Sequence, residues 1–536
     1  MMSFAGTEPT DFSSNLIDLR VPSLLTKVSD FLAEQDIQSY VVGGLVRDVL
    51  LGRDTADIDI AVAADALEIA PKVAAALGGK YVALDKVNKV GRVVLVNKKP
   101  SSPEVKWELD FSTFEGSIEQ DLARRDFTID AMATELRQIV DRPNFLRVEQ
   151  KAPSAGVIPG LIDPFDGVAD LRRGVLRVVA ETAFESDAAR LLRAVRLADE
   201  LGFSIDKRTE ALIQRHSYLI ANVAGERVRE ELLRLLAIPR AQQLLLYLDD
   251  LGLLTAMFPE LVETIGSEQP EEHFWNVFDH SLKTVTAVDF LLRRGAWEYA
   301  SSGEVLAAVP WSAVLAEHFD RGVSSGSTRR LLLKLAALLH DVAKPQTKAT
   351  DAGGRMRFLR HANEGAIIAA NVLERLRFSA KEVKLVETAV KHHLRPSQMS
   401  QAELPSRRAI YRYFRDTGEA GIDILFLNLA DHLATRGPHL NLAHWQEHVQ
   451  VAAYVLSQCF EQEGIAHPPK LVDGHDLIKT FGLSPGPKIG EILEAVREAQ
   501  ASGEVTTRQE ALSFIDKLLT SSTSLKEKEK MSKTKK

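Results

Sequence analysis

At 536 residues the chain is long enough for three or so domains, and 45% hydrophobic with 26% charged residues is ordinary for a soluble protein. One cysteine, Cys459, excludes an internal disulfide and a cysteine-based zinc site, and it suits a reducing compartment. A formal net charge of −8 excludes indiscriminate coating of nucleic acid, no uncharged run is long enough for a bilayer, and no basic stretch leads into an apolar core at the N-terminus, so a cytoplasmic protein with at most a local RNA surface and no membrane contact is expected.

Residues 1–36 read as a polar leader ending in an amphipathic helix from Leu24 to Leu32, and from Tyr40 strands and helices alternate. Val42-Gly43-Gly44-Leu45-Val46-Arg47-Asp48 reads as a short strand, a Gly-Gly turn and one helical turn, and Asp57-Ile58-Asp59 opens a second strand. Side chains on a strand repeat their face every two residues, so Asp57 and Asp59 point one way while Ile58 and Ile60 enter the sheet. Two acids side by side call for a cation. Gly43 and Gly44 let backbone approach a phosphate closely, and Arg47 sits where it can pair with the same group. Paired carboxylates holding Mg²⁺ beside a phosphate cradle are the parts of a phosphoryl- or nucleotidyl-transfer site.

These residues resemble the first motif of the class II nucleotidyltransferases, the bacterial CCA-adding enzymes and poly(A) polymerases of the DNA polymerase β superfamily. Gly91–Val96 and Val105–Asp110 are strand-like by their β-branched and aromatic content and complete a small mixed sheet. On the second of these, Asp110 shares a face with Glu108, and the resemblance offers it as a third acid that activates the attacking hydroxyl. The run Asp121-Leu122-Ala123-Arg124-Arg125-Asp126-Phe127-Thr128-Ile129-Asp130 is similar to the second family motif. Consecutive arginines cannot both be buried unpaired, so at least one meets an anion, and a triphosphate is the obvious one. Asp130 stands where the family usually has Asn. Asp163-Pro164-Phe165-Asp166-Gly167 is similar to the turn that closes the catalytic head, a structural role.

Asp187, Arg190, Arg193 and Arg196, spaced by three, are expected as one stripe on a helix. In the family such a helix is a protein template whose Asp and Arg bond the Watson–Crick edge of the incoming base. The resemblance carries that role to Asp187 and Arg190, with Arg193 and Arg196 on phosphate or holding the helix, and Ser186 stands where the family has Glu. Gly225–Leu236 resembles the family's neck helix, a packed amphipathic element. Further on, His280, His340-Asp341, His361, His392-His393 and Asp431 occur in the order found in HD-superfamily phosphohydrolases, with Lys344 strengthening the match. Imidazoles and carboxylates without cysteine suit Ni²⁺, Mn²⁺, Fe²⁺ or Zn²⁺, and the full ligand set allows two metals bridged by Asp341.

The resemblance implies an α+β fold. A polymerase-β-like nucleotidyltransferase head of small mixed sheet plus helices (37–178) follows the leader helix, and then come an all-α neck and body for template and RNA binding (179–265), an all-α HD domain (266–435), a helical tail (436–519) and a disordered lysine-rich end (520–536). It implies addition of CMP, and of AMP in full CCA-adding members, from CTP and ATP to a tRNA 3′ end, with Asp57 and Asp59 holding Mg²⁺ and Gly43, Gly44, Arg47, Arg124, Arg125 and Asp126 around the nucleotide. A poly(A) polymerase shares every head motif; a phosphohydrolase with an RNA-docking head and a pure RNA-binding protein are the other readings. Between Asp110 and Arg124 whole-CCA-adding members carry a flexible basic loop that helps the site change from C to A. Here the interval has no arginine and no tyrosine, which is what CC-adding members look like.

Overall fold

The computed structural model describes residues 20–53, 57–97, 105–140, 160–324, 326–399, 404–461 and 469–533. Internal contacts divide the chain into two units, Met1–Asn222 and Val223–Lys536.

The first unit begins with helix α1 (Arg20–Ala33) and is built on six strands: β1 (Ser39–Val42), β2 (Asp57–Val62), β3 (Lys80–Asp85), β4 (Val90–Asn97), β5 (Val105–Thr113) and β6 (Ala133–Glu135). Their order is β3-β4-β5-β2-β1-β6, with β2 and β5 parallel and the other neighbours antiparallel. The sheet is therefore mixed, as expected. Helix α2 (Gly44–Leu50) joins β1 to β2, and α3 (Ala66–Leu77) crosses back after β2. Asp65 starts α3 by accepting the Leu67 amide at 2.9 Å, and Gly78 ends it in the left-handed region. Val41, Ile58, Ile60, Val93, Leu109 and Phe111 make one inward layer, each at most 1% exposed. Alternation along β2 and β5 then turns Asp59, Glu108 and Asp110 to the other face.

Four residues, Phe114–Ser117, connect β5 to α4 (Ile118–Ala123). The connection is pinned at both ends. Phe114 is buried against Tyr40, with ring centroids 5.7 Å apart, and Ser117 caps α4 in a reciprocal box with Gln120. The Asp-Pro-Phe turn has the structural role expected of it. Asp163 accepts the Gly167 and Val168 amides, and buried Asp170 accepts the Thr128 hydroxyl at 2.6 Å. The unit ends with short helices, of which α5 (Ala183–Ser186) and α6 (Arg190–Leu201) bear on the site.

The second unit is helical. Helix Arg329–Leu339 is buried on nearly every side and packs against Val277–Leu291, Ala380–His392 and Gly421–Arg436. Within it lies a buried ion pair: Lys334 meets Asp289 at 2.5 Å and donates to the Leu236 carbonyl at 2.6 Å. Nothing in the apolar pattern of that helix announces the pair. Helices Gly474–Phe481, Pro487–Ser502 and Arg508–Lys533 form a small core of their own around Leu477, Ile492, Val496 and Ile515. The lysine-rich end, expected to be irregular, continues the last helix to Lys533. It has no glycine or proline to stop a helix, and lysine and glutamate are good helix formers.

Candidate active site and metal centre

In the first unit the site is built around the turn that follows β1. Gly43 has φ +68° and ψ −133°, and its amide donates to the Met132 carbonyl at 3.3 Å. A Cβ at Gly43 would stand 2.9 Å from Arg125 Nη1 and 3.1 Å from Asp59 Oδ2. Only glycine lets turn, guanidinium and carboxylate share this space. On β2, register sets Asp59 beside Asp110 and Asp57 beside Glu108, while the side chain of Asp57 lies outside the described residues. Burial pushes the Asp59 carboxyl up to about 6; Arg125 opposes this and Asp110 adds to it. A face crowded with carboxylate oxygens beside a close-packed backbone turn fits a hard divalent cation.

The third acid is occupied. Arg92, opposite on β4, donates Nε and Nη2 to the two oxygens of Asp110, each at 2.7 Å, and also reaches Glu108. The other arginines are tied to acids to different degrees. Arg47 donates to Asp130 at 2.6 Å and to Asp48 at 2.8 Å and is nearly buried. Arg124 and Arg125 both lean on buried Asp121, but Arg124 keeps 54% of its side chain exposed against 20% for Arg125. Arg193 joins Asp126 at 2.7 Å and Asp130 at 3.5 Å. Burial alone would raise the Asp126 carboxyl, but Arg193 and Arg190 outweigh it and hold it low, while burial and the neighbouring Asp126 leave Asp130 raised despite Arg47.

The expected helical stripe is revised. Asp187 is not on the helix: it is extended (φ −154°, ψ 101°) between α5 and α6 and accepts the Ala189 amide at 3.2 Å. An acid able to cap a turn competes with the helix for its own backbone, which sets the start of α6 at Arg190. Arg190 donates to the Arg124 carbonyl at 2.8 Å, the Ser186 hydroxyl at 3.1 Å and the Ala183 carbonyl at 3.2 Å. Arg196 is 5% exposed and pairs with Glu200 at 2.6 Å, which makes it a brace for the helix.

In the second unit five helices, Val277–Leu291, Arg329–Leu339, His361–Arg375, Ala380–His392 and Gly421–Arg436, bring imidazoles and carboxylates to one buried point. His280, His340 and Asp431 form one triad and Asp341, His361 and His393 another, each with its ligand atoms within 4.8 Å of one another. Asp341 lies between them, Oδ2 being 3.1 Å from His340 Nε2 and 3.5 Å from His280 Nε2, and Oδ1 3.5 Å from His361 Nε2 and 3.8 Å from His393 Nε2. His340, His361 and His393 each turn Nδ1 to the backbone carbonyl three residues earlier, at 2.7–2.8 Å. That bond fixes the tautomer and leaves Nε2 as a lone pair aimed inward. The His280 and His340 Nε2 atoms are 3.2 Å apart, and neither oxygen of Asp341 receives a well-directed hydrogen bond. Unpartnered donors converging on a buried point fit metal ions. Burial works against a charged Asp341, but His340 and Lys344, whose Nζ is 2.6 Å away, outweigh it and hold the carboxyl well below its usual range. His392, expected beside His393, falls in neither triad; it is half-buried near Lys391 and Arg395.

Residues 39–177 match the model of the Poly A polymerase head domain, 202–264 that of the probable RNA and SrmB-binding site of polymerase A, and 306–436 that of the HD domain. The A-adding tRNA nucleotidyltransferase of Deinococcus radiodurans is 33% identical over 483 residues, 89% of this chain and 94% of its own. The CC-adding tRNA nucleotidyltransferase of Thermus thermophilus is also 33% identical, over 89% and 93% of the two chains. The chain belongs to the tRNA nucleotidyltransferases. In fold it is similar to the Thermotoga maritima CCA-adding enzyme complexed with tRNA, with a TM-score of 0.53 and 23% identity over 94% and 96% of the two chains.

Two residues beside these clusters escape motif reading. Arg92 belongs to no motif, and only its position opposite Asp110 reveals it. His273 precedes the HD pattern, yet lines the same cavity as His361 and Asp431, and burial pushes it down to about 4.

Proposed function

We propose that this nucleotidyltransferase adds CMP from CTP to the 3′ end of tRNA and stops before the terminal adenylate. The 3′-hydroxyl oxygen bonds to the α-phosphorus, the bond from that phosphorus to the bridging oxygen breaks, and pyrophosphate leaves. Asp57 and Asp59 would hold Mg²⁺, which when bound supplies a Lewis acid at the reacting phosphate. Gly43 leaves room for the phosphate-binding Arg125 and the metal-binding Asp59 to meet against the turn. Arg125 is directed into this space, and exposed Arg124 takes the outgoing charge. Arg47, fastened to Asp130 and Asp48, holds the floor of the site. Asp187 and Arg190 stand at the junction that reads the base, and Arg190 donates to the Arg124 carbonyl, linking base choice to the phosphate arginines.

The observation that carries restriction to C is the four-residue connection Phe114–Ser117, anchored at both ends and too short to swing across the site. A second reading, addition of the final A alone, is favoured by the A-adding activity named for the Deinococcus relative. The test is incubation of the pure protein with tRNA transcripts ending before, within and after the CC sequence, each nucleoside triphosphate in turn and Mg²⁺, followed by sequencing of the products. Addition of two C residues and no A supports the first reading; extension only of transcripts already ending in CC supports the second. Completion to CCA by this protein alone defeats both.

We further propose that the second unit hydrolyses phosphoesters. Its two triads would hold Ni²⁺, Mn²⁺, Fe²⁺ or Zn²⁺, which when bound supply an activated water. Asp341 orients both triads, and Lys344 neutralises it from the side.

A further inference from the structure

A separate cavity of about 210 Å³ opens in the second unit where helix Val277–Leu291 ends, helix Ala313–Asp320 passes and helix Arg329–Leu339 begins. His280 and His340 lie toward the other ends of the first and last of these helices, roughly 15–18 Å away along them at 1.5 Å rise per residue. The cavity therefore shares no residue with either triad. Its frame is fixed. Arg293 is held at φ +62° and donates to the Leu291, Leu306 and Val309 carbonyls at 3.1, 3.2 and 3.4 Å, with its guanidinium 5.2 Å from the centre of the Trp311 ring. Trp311 in turn stacks on buried Phe319, ring centroids 6.2 Å apart.

The charges in this frame do not balance. Arg293, Arg294 and Arg330 line the cavity with a single carboxylate, Asp320, which meets Arg330 through one oxygen and Arg294 at 3.5 Å through the other. Asp289, the other acid felt by Arg330, is taken up by Lys334 at 2.5 Å. Arg329 and Arg330 also open their helix, the end at which the helix dipole disfavours cations. Arg329 is offset by buried Asp423 at 2.5 Å. Arg330 has only its share of Asp320, and its Nε is shielded from water with no acceptor. Burial and the neighbouring Arg294 both work against its charge. A guanidinium edge left without an acceptor is costly, and an oxyanion meets it in fork geometry.

We propose that this cavity binds a free phosphate-type anion, inorganic phosphate or pyrophosphate, between Arg330 and Arg294. The volume falls below the roughly 300–1,000 Å³ of sites for drug-sized ligands, so the occupant is small. More than one negative charge is needed to draw the arginines from a carboxylate that already pairs with both. Asp320 is half exposed and can turn outward when the anion takes its place.

The full-length, metal-free protein is labelled with fluorotryptophan and followed by fluorine NMR, and Trp311→Phe identifies the Trp311 signal among the five tryptophans. Phosphate or pyrophosphate should move that signal saturably, and the tighter of the two identifies the ligand. Arg330→Gln should weaken binding about tenfold or more, the scale of one charge-assisted hydrogen bond. Arg294→Gln, at an exposed position that guards against misfolding of the Arg330 variant, should weaken it several-fold. Asp320→Asn should tighten it, because the competing carboxylate is gone. CMP addition should be unchanged in all three. A Trp311 signal unmoved by either anion up to about 10 mM overturns the proposal, as does a response that survives Arg330→Gln and Arg294→Gln, or weaker binding in Asp320→Asn. A response to a short RNA and to neither free anion overturns it in favour of an RNA backbone contact.

Discussion

Gly43→Ala separates a steric requirement from a general liking for glycine, because the neighbouring glycine is a built-in control. Gly43 has φ +68°, where an alanine is strained by about 1–3 kcal/mol. The added methyl would also sit 2.9 Å from Arg125 Nη1 and 3.1 Å from Asp59 Oδ2, so the guanidinium or the carboxylate must move by several tenths of an ångström. Losing one charge-assisted hydrogen bond to a triphosphate costs about 1.5–3 kcal/mol, or roughly 10- to 100-fold in kcat/KM for CTP. At Gly44 the nearest atom to a new methyl is Arg47 Nη2 at 3.5 Å, ordinary contact, and φ is negative. Gly44→Ala should therefore stay within a few-fold of normal. Single-nucleotide incorporation kinetics and thermal unfolding of the two variants side by side make the measurement. A Gly43→Ala protein with near-normal kcat/KM and an unchanged melting temperature would refute the cradle, as would equal losses in the two variants.

Four further outcomes follow from the same geometry. Asp57→Ala or Asp59→Ala should remove CMP addition while leaving tRNA affinity within a few-fold by filter binding; near-normal addition by either would sink the metal assignment. Because burial raises the Asp59 carboxyl to about 6 from an unfolded value near 4, the folded protein holds that proton more tightly. Its contribution to stability is complete below about pH 4 and is lost as pH rises through 6. Asp59→Asn should consequently stabilise the metal-free protein at pH 7.5 by up to about 3 kcal/mol, two pKa units at about 1.4 kcal/mol each, while abolishing activity, and the Mg²⁺ concentration needed for half-maximal rate should climb about tenfold per unit below pH 6. An apo melting curve unmoved by Asp59→Asn counts against the shift. His340→Ala with Asp341→Ala should abolish Ni²⁺- or Mn²⁺-dependent hydrolysis and leave CMP addition intact; loss of both activities in a folded variant would tie the HD region to the transfer reaction. Arg190→Ala and Asp187→Ala should each admit UMP or GMP detectably, since an unpaired buried hydrogen-bonding group costs about 1–3 kcal/mol. Unchanged base selectivity in both refutes the template role.

The head was legible because its chemistry is written in strand alternation and glycine placement, both short-range properties. Ile58 and Ile60 went into the core and Asp59 to the other face, as period two requires. What sequence spacing misjudged is the helix boundary at Asp187. Residues three apart make a stripe only if the helix contains them all, and an acid two residues before a free amide is as ready to cap as to continue. Arg196 takes one of the two roles expected of it: its buried guanidinium pairs with exposed Glu200, one turn on, and braces the helix.

Arg92 marks the limit of motif reading in a different way and leads to the last prediction. Register across an antiparallel pair cannot be read from either strand alone, so the clamp on Asp110 became visible only once β4 and β5 were aligned. With both oxygens of Asp110 engaged by one guanidinium, the acid is fixed, and it has no free lone-pair direction of the best geometry for a proton or a cation. If Asp110 takes part in activating the 3′-hydroxyl, Arg92 must loosen when substrate arrives, and its second tie to Glu108 gives it a place to go. Arg92→Lys, which keeps the charge but cannot clamp both oxygens, should then hold kcat within a few-fold or raise it. Arg92→Ala should lower the melting temperature by a few degrees, because it leaves Glu108 and Asp110 repelling each other across the face, and it should flatten the dependence of kcat on pH. If Asp110→Asn and Arg92→Ala both leave kcat unchanged, the clamp is a strand-pairing device and Asp110 has no part in the reaction.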